Sequence, residues 1–447
     1  MSVPRIVVAH RAVRVVPLAA LLLPVSVVCG QPAQSQPQDL PAESETAYLR
    51  VVEEPGESIA LQIAAQRFVP ADDSGPTVGL VGVSHIGERE LYEQIQSLLG
   101  EYDVVLYESV MPPGAAGAGG DDDEQRRAST TEAMQFVTAA LATHHDQLGK
   151  YPQDQKQLLS FAASRDPRLE DWLTTASVDG WDRPLAYASA DDQQSYTLVS
   201  LGADGKVGGE GTDADLEMSH ETASETPGLL PEEDNLQAQL ASALGLQFQL
   251  DAIDYGRPGW RCSDMTVVQL EQALQEKGVD FGPISGALAG TSWPAKFVGF
   301  ILRLVQTMDV WMEGAISDTL KVILIEIFSD ETILEQGLQQ FGAGFEEVIV
   351  GQRNQIVIDQ LRTIRELEPD VHSVAVLYGA AHMRDMADRL TSQLGYQATG
   401  ETWITAIKVD LKHSAIPPRQ LEFLRRIIKQ QLQLQRQWGD TPGQRDH

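Results

Sequence analysis

The sequence has little cysteine, few aromatic residues and little positive charge. Two of its 447 residues are cysteine, and aromatic residues make up 6%. Cys29 lies in a leader-like segment, so only Cys262 is left for a mature chain cut after Gly30, which excludes an intramolecular disulfide. Lysine and arginine number 33 against 64 acidic residues, giving a formal net charge of −31. Because so acidic a surface repels phosphate backbones, we expect no nucleic-acid partner.

The N-terminal segment has the composition of a secretory signal. Several arginines precede an apolar run over residues 15–28, which is short for a membrane span. We expect residues 1–30 to be a signal peptide, with no integral membrane span after its cleavage. The mature chain is then exported and periplasmic, associated with the cell envelope, or secreted. Lipidation at Cys29 is the alternative, although the residues before it make a poor lipidation signal.

Two distant stretches of the chain share one pattern. Residues 77–85 and 374–382 are both apolar runs that end in Gly-x-x-His, and a segment with helical character follows each. A β-branched run that ends in glycine predicts a buried strand stopping at a tight turn. His85 and His382 are therefore expected just past the carboxyl ends of their strands, where open α/β sheets place their ligands.

A third short strand is predicted over residues 103–107, and Glu108 follows it directly. If the three strands are neighbours, His85, Glu108 and His382 converge on one edge of the sheet. Two imidazoles and a carboxylate leave coordination positions of a bound ion open, so they predict a catalytic site for a divalent transition metal. Manganese, cobalt and zinc are the candidate metals. The alternative interpretation is that both histidines are hydrogen-bonded turn residues.

These motifs resemble those of the TraB/PrgY/GumN family, to which the TIKI Wnt-cleaving proteases are related. The resemblance covers about residues 75–108 and 235–410. Gln352-Arg353-Asn354 is similar to a Glu-Arg-Asn motif of the family, with glutamine in place of glutamate, and Glu346 or Glu347 is the candidate replacement carboxylate. The remaining similar segments are 244–249, Asp254-Tyr255, Trp260 with 263–266, Gly395-Tyr396 and Trp403.

The resemblance implies an exported metal-dependent hydrolase, a peptidase acting on a peptide or protein substrate. His85 and His382 would bind the metal, and Glu108 would complete the ligand set or act as general base on bound water. Arg353 would orient the substrate or stabilise the developing oxyanion. The alternative is a non-catalytic scaffold that binds a peptide or another ligand.

A segment of different character follows Glu108. Residues 131–148 have the spacing of an amphipathic helix, and a Tyr-Pro pair, a tryptophan-proline-tyrosine turn and a Ser-Leu-Gly-Ala-Asp-Gly loop come after it in order. The span 129–218 resembles the C-terminal globular part of the major pseudopilin, type II secretion system protein G. Secretion-system components are the partners that this resemblance implies, and an accessory protein of a type II secretion or pseudopilus system is a further alternative function.

The same resemblance implies a calcium (Ca²⁺) site in the last loop of the inserted segment. The ligands that the resemblance implies are the backbone carbonyl of Leu201 and the side chains of Asp204 and Asp215. Calcium prefers several hard oxygen ligands, and glycines allow backbone carbonyls to turn inward. The alternative is a solvated acidic loop without an ion.

The expected fold class is α/β (α+β), with a mostly helical TraB/TIKI-like domain around a small central sheet and an inserted α+β domain. Segment by segment, we expect a signal peptide at 1–30, a linker and helix at 31–74, a discontinuous TraB/GumN-like domain at 75–110 and 235–412, the inserted domain at 129–218, an acidic linker at 219–234, and an amphipathic helix with a tail at 413–447.

Overall fold

The computed structural model describes residues 48–72, 74–221, 241, 244–279, 315–328 and 344–414, with scattered positions between 417 and 430. The expected signal peptide with Cys29, most of the acidic linker and most of the C-terminal helix lie outside the described residues. Within the described ranges, no helix has both the length and the apolar composition needed to cross a bilayer.

A seven-stranded mixed sheet forms the centre of the molecule. Its strands are β1 (Leu49–Glu54), β2 (Ser58–Pro70), β3 (Thr77–Val83), β5 (Val104–Tyr107), β10 (Trp260–Cys262), β11 (Ser373–Gly379) and β12 (Tyr396–Asp410). They run in the order β1-β2-β3-β11-β5-β10, and β12 pairs with β2. Two further strands, β4 (Ile86–Gly87) and β9 (Gln247–Phe248), form a small antiparallel pair.

The strands predicted from the apolar runs are present, and β11 lies between the other two. In parallel register, Val374 of β11 pairs with Val78 of β3 on one side and with Val104 of β5 on the other. The three carboxyl ends therefore meet at one edge of the sheet, which is the adjacency that the predicted site requires.

Helices cover both faces of this sheet, as expected where parallel strands are buried. Alternate residues of β11 point to opposite faces. Ala375 and Leu377 pack in one core with the helices Arg89–Leu99 and Ala315–Phe328. Val376 packs in a second core with the helices Arg353–Leu367 and Met383–Leu394. The other helices among the described residues of this domain are Gln249–Ala252, Val267–Glu276, a π-helical turn at Glu347–Gln352 and a 3₁₀ turn at Ala380–His382.

The described chain thus has the expected mixture of helices and mixed sheets, but its central sheet is larger than the small one predicted. The prediction of a linker and helix at 31–74 is wrong for the described residues, since β1 and β2 occupy most of 49–70. β2 pairs with β12 over its whole length and with β3 near its end. Its two faces are buried in the two cores on opposite sides of the sheet, Leu61 in one and Phe68 in the other, so the alternation of polar and apolar residues that marks a half-exposed strand is weak in β2.

The inserted segment forms its own core. It comprises the helices Asp123–Leu148, Gln155–Ala163 and Pro167–Ala176 and the antiparallel strands β6 (Ala186–Ser189), β7 (Tyr196–Ser200) and β8 (Leu216–Ser219). The first helix begins earlier than the predicted 131, because the Asp122 side chain accepts from the backbone N–H of Gln125 and caps it. Met111 and the partly buried Cys262 extend this core toward the main sheet.

Candidate functional site

Glu108 follows β5 directly, and its carboxylate is held from two sides at the carboxyl edge of the sheet. Oε2 accepts the backbone N–H of Gly379 at 2.7 Å, and Oε1 accepts from Arg353 Nη2 at 2.7 Å. A Cβ at position 379 would lie 3.3 Å from Glu108 Oε2, so glycine allows this close approach. The Glu108 side chain is 12% exposed.

Arg353 lies between two carboxylates. Its Nε and Nη2 donate to Asp264 Oδ1 and Oδ2 at 2.8 and 2.6 Å, opposite the bond to Glu108. The Asp264 side chain is fully buried, and that of Arg353 is 7% exposed. Burial alone would lower the pKa of Arg353, but Asp264 and Glu108 raise it well above its ordinary value. The guanidinium is therefore a permanent cation that neutralises part of the charge of the two carboxylates.

His382 is buried, and its tautomer follows from the orientation of Asn354. The Asn354 Nδ2 donates to the His382 carbonyl at 3.0 Å and to Asp385 Oδ2 at 2.8 Å, so its Oδ1 faces His382 Nδ1 as an acceptor at 2.8 Å. Nδ1 therefore carries the proton, and Nε2 of the neutral ring has a free lone pair. Nε2 lies 3.7 Å from Glu108 Oε1, which is too long for a direct hydrogen bond.

The charges of the cluster favour an ionised Glu108 beside a neutral His382. Burial raises the pKa of Glu108, but His382, Arg353, His85 and the Gly379 N–H outweigh it and lower the pKa to about 2. Burial lowers the pKa of His382, with Glu108 opposing and Arg353 adding to that effect. Two acceptors then face each other across 3.7 Å, an arrangement suited to a cation between them or to a water molecule that donates to both from one side.

His85 is exposed and lies outside this cluster. Its Nδ1 pairs with Gln249 Oε1 at 2.9 Å, while Gln249 Nε2 donates to the Tyr255 hydroxyl at 2.9 Å. The structure thus brings Glu108, Arg353 and His382 together. His85 contributes only an electrostatic effect, which lowers the pKa of Glu108.

A transition metal fits part of this arrangement. Neutral His382 Nε2 and Glu108 Oε1 are one nitrogen and one oxygen ligand of the kind that manganese, cobalt and zinc accept. Among the described residues, however, no group of three or more His, Cys, Asp or Glu side chains is arranged to hold a metal ion. The three-ligand centre of His85, Glu108 and His382 stays a prediction.

The two candidate replacements for the family glutamate lie on the surface. Glu346 and Glu347 are exposed, and Glu347 pairs with Lys277 at 2.6 Å. Asp264, in the segment after β10, binds Arg353 and was not among the predicted site residues. Its position before the helix Val267–Glu276 was visible in the sequence, but no local signal connects it to Arg353, which lies 89 residues further on.

The predicted calcium loop combines left-handed glycines with one unpaired buried oxygen. Gly202, Gly205, Gly208, Gly209 and Gly211 all have positive φ. Asp204 Oδ1 accepts the N–H of Lys206, and Asp215 Oδ2 accepts that of Gly208, at 2.9 and 3.0 Å. Asp215 Oδ1 is buried without a hydrogen-bond partner among the described residues. A hard oxygen left free in this way fits a calcium ligand.

Comparisons with known proteins concern the inserted domain. Residues 119–219 match the family model of type II secretion system (T2SS), protein G. Type II secretion system core protein G of Pseudomonas aeruginosa is 32% identical over 87 residues, which is 18% of this chain and 61% of that protein. The chain thus spans about three-fifths of the length of that relative. No solved structure matches the chain. These matches support the resemblance of the inserted domain to protein G.

Proposed function

We propose that this chain is an exported accessory protein of a type II secretion assembly, and that its inserted domain binds a component of that machinery. The match of residues 119–219 to protein G is the observation that carries this proposal. The proposed location is the periplasm or the cell envelope, where such components would be within reach.

The loop between β7 and β8 presents an exposed apolar side chain, and we assign the binding surface to it. Val207 lies in this loop with 87% of its surface exposed. When a partner covers an exposed apolar side chain, removing that side chain from water stabilises the complex. In this proposal, Leu201, Asp204 and Asp215 hold Ca²⁺, which would stiffen the loop that carries Val207.

The test uses purified pseudopilins of the source organism, its own protein G included, and measures their binding to the full mature chain in calcium. We expect Val207→Asp to weaken binding by about tenfold or more, because a charge replaces the covered apolar contact. The matched control is Leu367→Asp, at a 72% exposed position in the other domain, which should bind like wild type. Equal binding by both variants, or no binding of any pseudopilin, would contradict the proposal.

A second candidate function is hydrolysis, and the buried cluster of Glu108, Arg353 and His382 favours it. The proposal agrees with the TraB/PrgY/GumN resemblance, which implies a metal-dependent peptidase acting on a peptide or protein substrate. Without a metal, His382 Nε2 would accept a proton from a water molecule that bridges it and Glu108, and the Glu108 carboxylate would orient that water. If His382 and His85 held a manganese, cobalt or zinc ion, the ion would occupy the His382 lone pair and make the water more acidic, and Glu108 would complete the ligand set or act as the general base.

Arg353 has a different role in this proposal than the resemblance implies. Its Nε and Nη2 donate to Asp264 and Glu108, and its Nη1 to the Ile349 carbonyl at 3.4 Å, so we assign it to holding Glu108 in place instead of binding substrate. Arg353 is therefore a positioning residue.

The hydrolase proposal is tested by the transition-metal content of the protein and by a peptide-cleavage screen. Wild type is compared with the His85→Ala/His382→Ala double variant, after dialysis in excess calcium to fill the acidic loop. About one ion per chain and measurable cleavage in wild type, both lost in the double variant, are the expected results. His413→Ala, at an exposed histidine beside Asp410, is the control that should change neither. Equal near-zero metal content after loading, with no cleavage, would leave a non-catalytic scaffold.

A further inference from the structure

A surface cavity of about 360 Å³ lies at the amino ends of β3 and β11, at the opposite edge of the sheet from Glu108. Thr77 and Ser373, which are the first residues of these two strands, mark that edge. The face of the sheet formed by β2, β3 and β12 is the floor of the cavity, and the end of the helix Arg89–Leu99 forms one wall. Cavities of this size are large enough to hold a small ligand.

The floor of this cavity lacks side chains on both sides of Arg67. In the sheet, Arg67 of β2 pairs with Gly79 of β3 and with Gly400 of β12, and residues paired in this way share one face. A Cβ at position 79 would clash with the hydroxyl of Tyr102, which therefore occupies the place of the side chain that would face Arg67. A Cβ at position 400 would have no atom within 4 Å, so the space over Gly400 is open. Glycine inside a strand often marks a place where another group approaches the sheet closely.

Arg67 and Tyr102 both line the cavity with accessible donor groups. Among the described residues, the exposed guanidinium of Arg67 and the hydroxyl of the half-buried Tyr102 have no hydrogen bond or ion pair, and the hydroxyl keeps surface open to solvent. Burial raises the pKa of Tyr102, Arg67 lowers it and Glu101 raises it, so the phenol stays protonated and can donate. A carboxylate is the acceptor that suits a guanidinium and an O–H donor side by side.

The remaining charge on this side of the sheet is negative and restricts the ligand class. Glu101 lines the cavity just past the C-terminal end of the helix Arg89–Leu99, where the helix dipole also favours a cation. Glu401 borders the cavity too, but its Oε1 accepts from Trp403 Nε1 at 3.1 Å, and Trp403 packs in the core on the other face of the sheet. The cavity face therefore carries one cation, Arg67, and one anion, Glu101. A simple carboxylate would leave Glu101 without a partner, whereas a ligand with both a carboxylate and an ammonium group matches the two charges.

We propose that this cavity binds a small zwitterion, a free α-amino acid with an apolar side chain. The ligand carboxylate accepts from the Arg67 guanidinium and the Tyr102 hydroxyl, and the ligand ammonium group lies beside Glu101. The apolar side chain of the ligand packs against Ala65 and Leu98, which line the same cavity. This site goes beyond both proposed functions, since neither uses the cavity.

The test measures binding of leucine to the full mature chain by titration calorimetry at neutral pH. Leucinamide, which lacks the carboxylate, and N-acetyl-leucine, which lacks the ammonium group, are the matched ligands. We expect saturable binding of leucine and binding at least about tenfold weaker for each of the other two.

Variants of the two donors test the same contacts from the side of the protein. Arg67→Gln should weaken leucine binding about tenfold or more, because a charge-assisted hydrogen bond is lost. Tyr102→Phe keeps the ring but removes the O–H donor, and should weaken binding about fivefold. Arg50→Gln is the control and should bind leucine like wild type, because the exposed Arg50 donates to Gln62 and lies over the ring of Trp403, away from the cavity.

A variant of the floor keeps the test decisive if Tyr102→Phe or Arg67→Gln disturbs the fold. Gly400 does not have a positive φ and has open space above it, so Gly400→Leu fits the sheet and fills the cavity. It should abolish leucine binding while its circular dichroism spectrum stays like that of wild type. Absence of saturable leucine binding to wild type would overturn the proposal. So would equal affinity for the three ligands, or undiminished binding by Arg67→Gln or Gly400→Leu.

Discussion

The ion triad of Glu108, Arg353 and Asp264 allows one strong prediction about stability. Replacing Arg353 by methionine keeps most of the side-chain volume but removes the cation between two carboxylates. Asp264 would then be a fully buried carboxylate without its bidentate partner, and Glu108 would lose one of its two fixed donors.

Breaking a buried ion pair from one side typically costs about 3–5 kcal/mol, because the remaining charge stays desolvated and unpaired. The exposed pair of Arg362 with Asp359 supplies the comparison. Its nitrogen–oxygen distance is 2.6 Å, the same as between Arg353 and Asp264, but its two side chains are 41% and 56% exposed. Removing such a surface pair typically costs about 0–1 kcal/mol. We therefore expect Arg353→Met to destabilise the protein several times more than Arg362→Met.

Urea unfolding of the two single variants, followed by circular dichroism, measures this difference as a shift in midpoint at unchanged slope. Asp264→Asn in the Arg353→Met background should recover part of the loss, because it removes the orphaned charge. A loss below about 1 kcal/mol for Arg353→Met, similar to that for Arg362→Met, would refute the buried triad.

Three further predictions concern pH, backbone and calcium. Folding lowers the pKa of Glu108 from 4.5 to about 2. The stability that this shift contributes, on the order of 3 kcal/mol, is therefore present above pH 4.5 and lost as the pH falls toward 2. Glu108→Gln should remove this part of the pH profile of urea midpoints measured with EDTA. Gly114→Ala places a Cβ 2.1 Å from the Glu132 carbonyl oxygen and should lower the melting temperature. Gly149→Ala is the control, because Gly149 has a similar positive φ but no neighbouring atom within 4 Å of the added Cβ, so its melting temperature should fall less. Equal shifts for the two variants would contradict the clash. Calcium should raise the melting temperature of wild type but not of Asp215→Asn, and an equal rise in both would place the ion elsewhere.

Local patterns predicted the elements that carry the site. The apolar runs that become β3, β5 and β11 are found where the sequence predicts them. These elements follow from periodicity, which depends on neighbouring residues.

The long antiparallel pair of β2 and β12 was not predicted. The two strands are joined along 13 residues of β2, with register shifts between Ala398 and Gly400 and between Thr405 and Ile407. Pairing of segments more than 300 residues apart has no local signature, and the shifts disturb the alternation that would otherwise mark a strand.

Composition and local patterns were enough to establish the acidic charge, the lack of an intramolecular disulfide in a chain cut after Gly30, the inserted segment and the strand ends that place Glu108 and His382. They did not reveal that Asp264 binds Arg353, that Asn354 sets the tautomer of His382, or that His85 is exposed beside Gln249. Strand order and helix packing bring these side chains together, whereas periodicity along the chain specifies only which face of an element is buried.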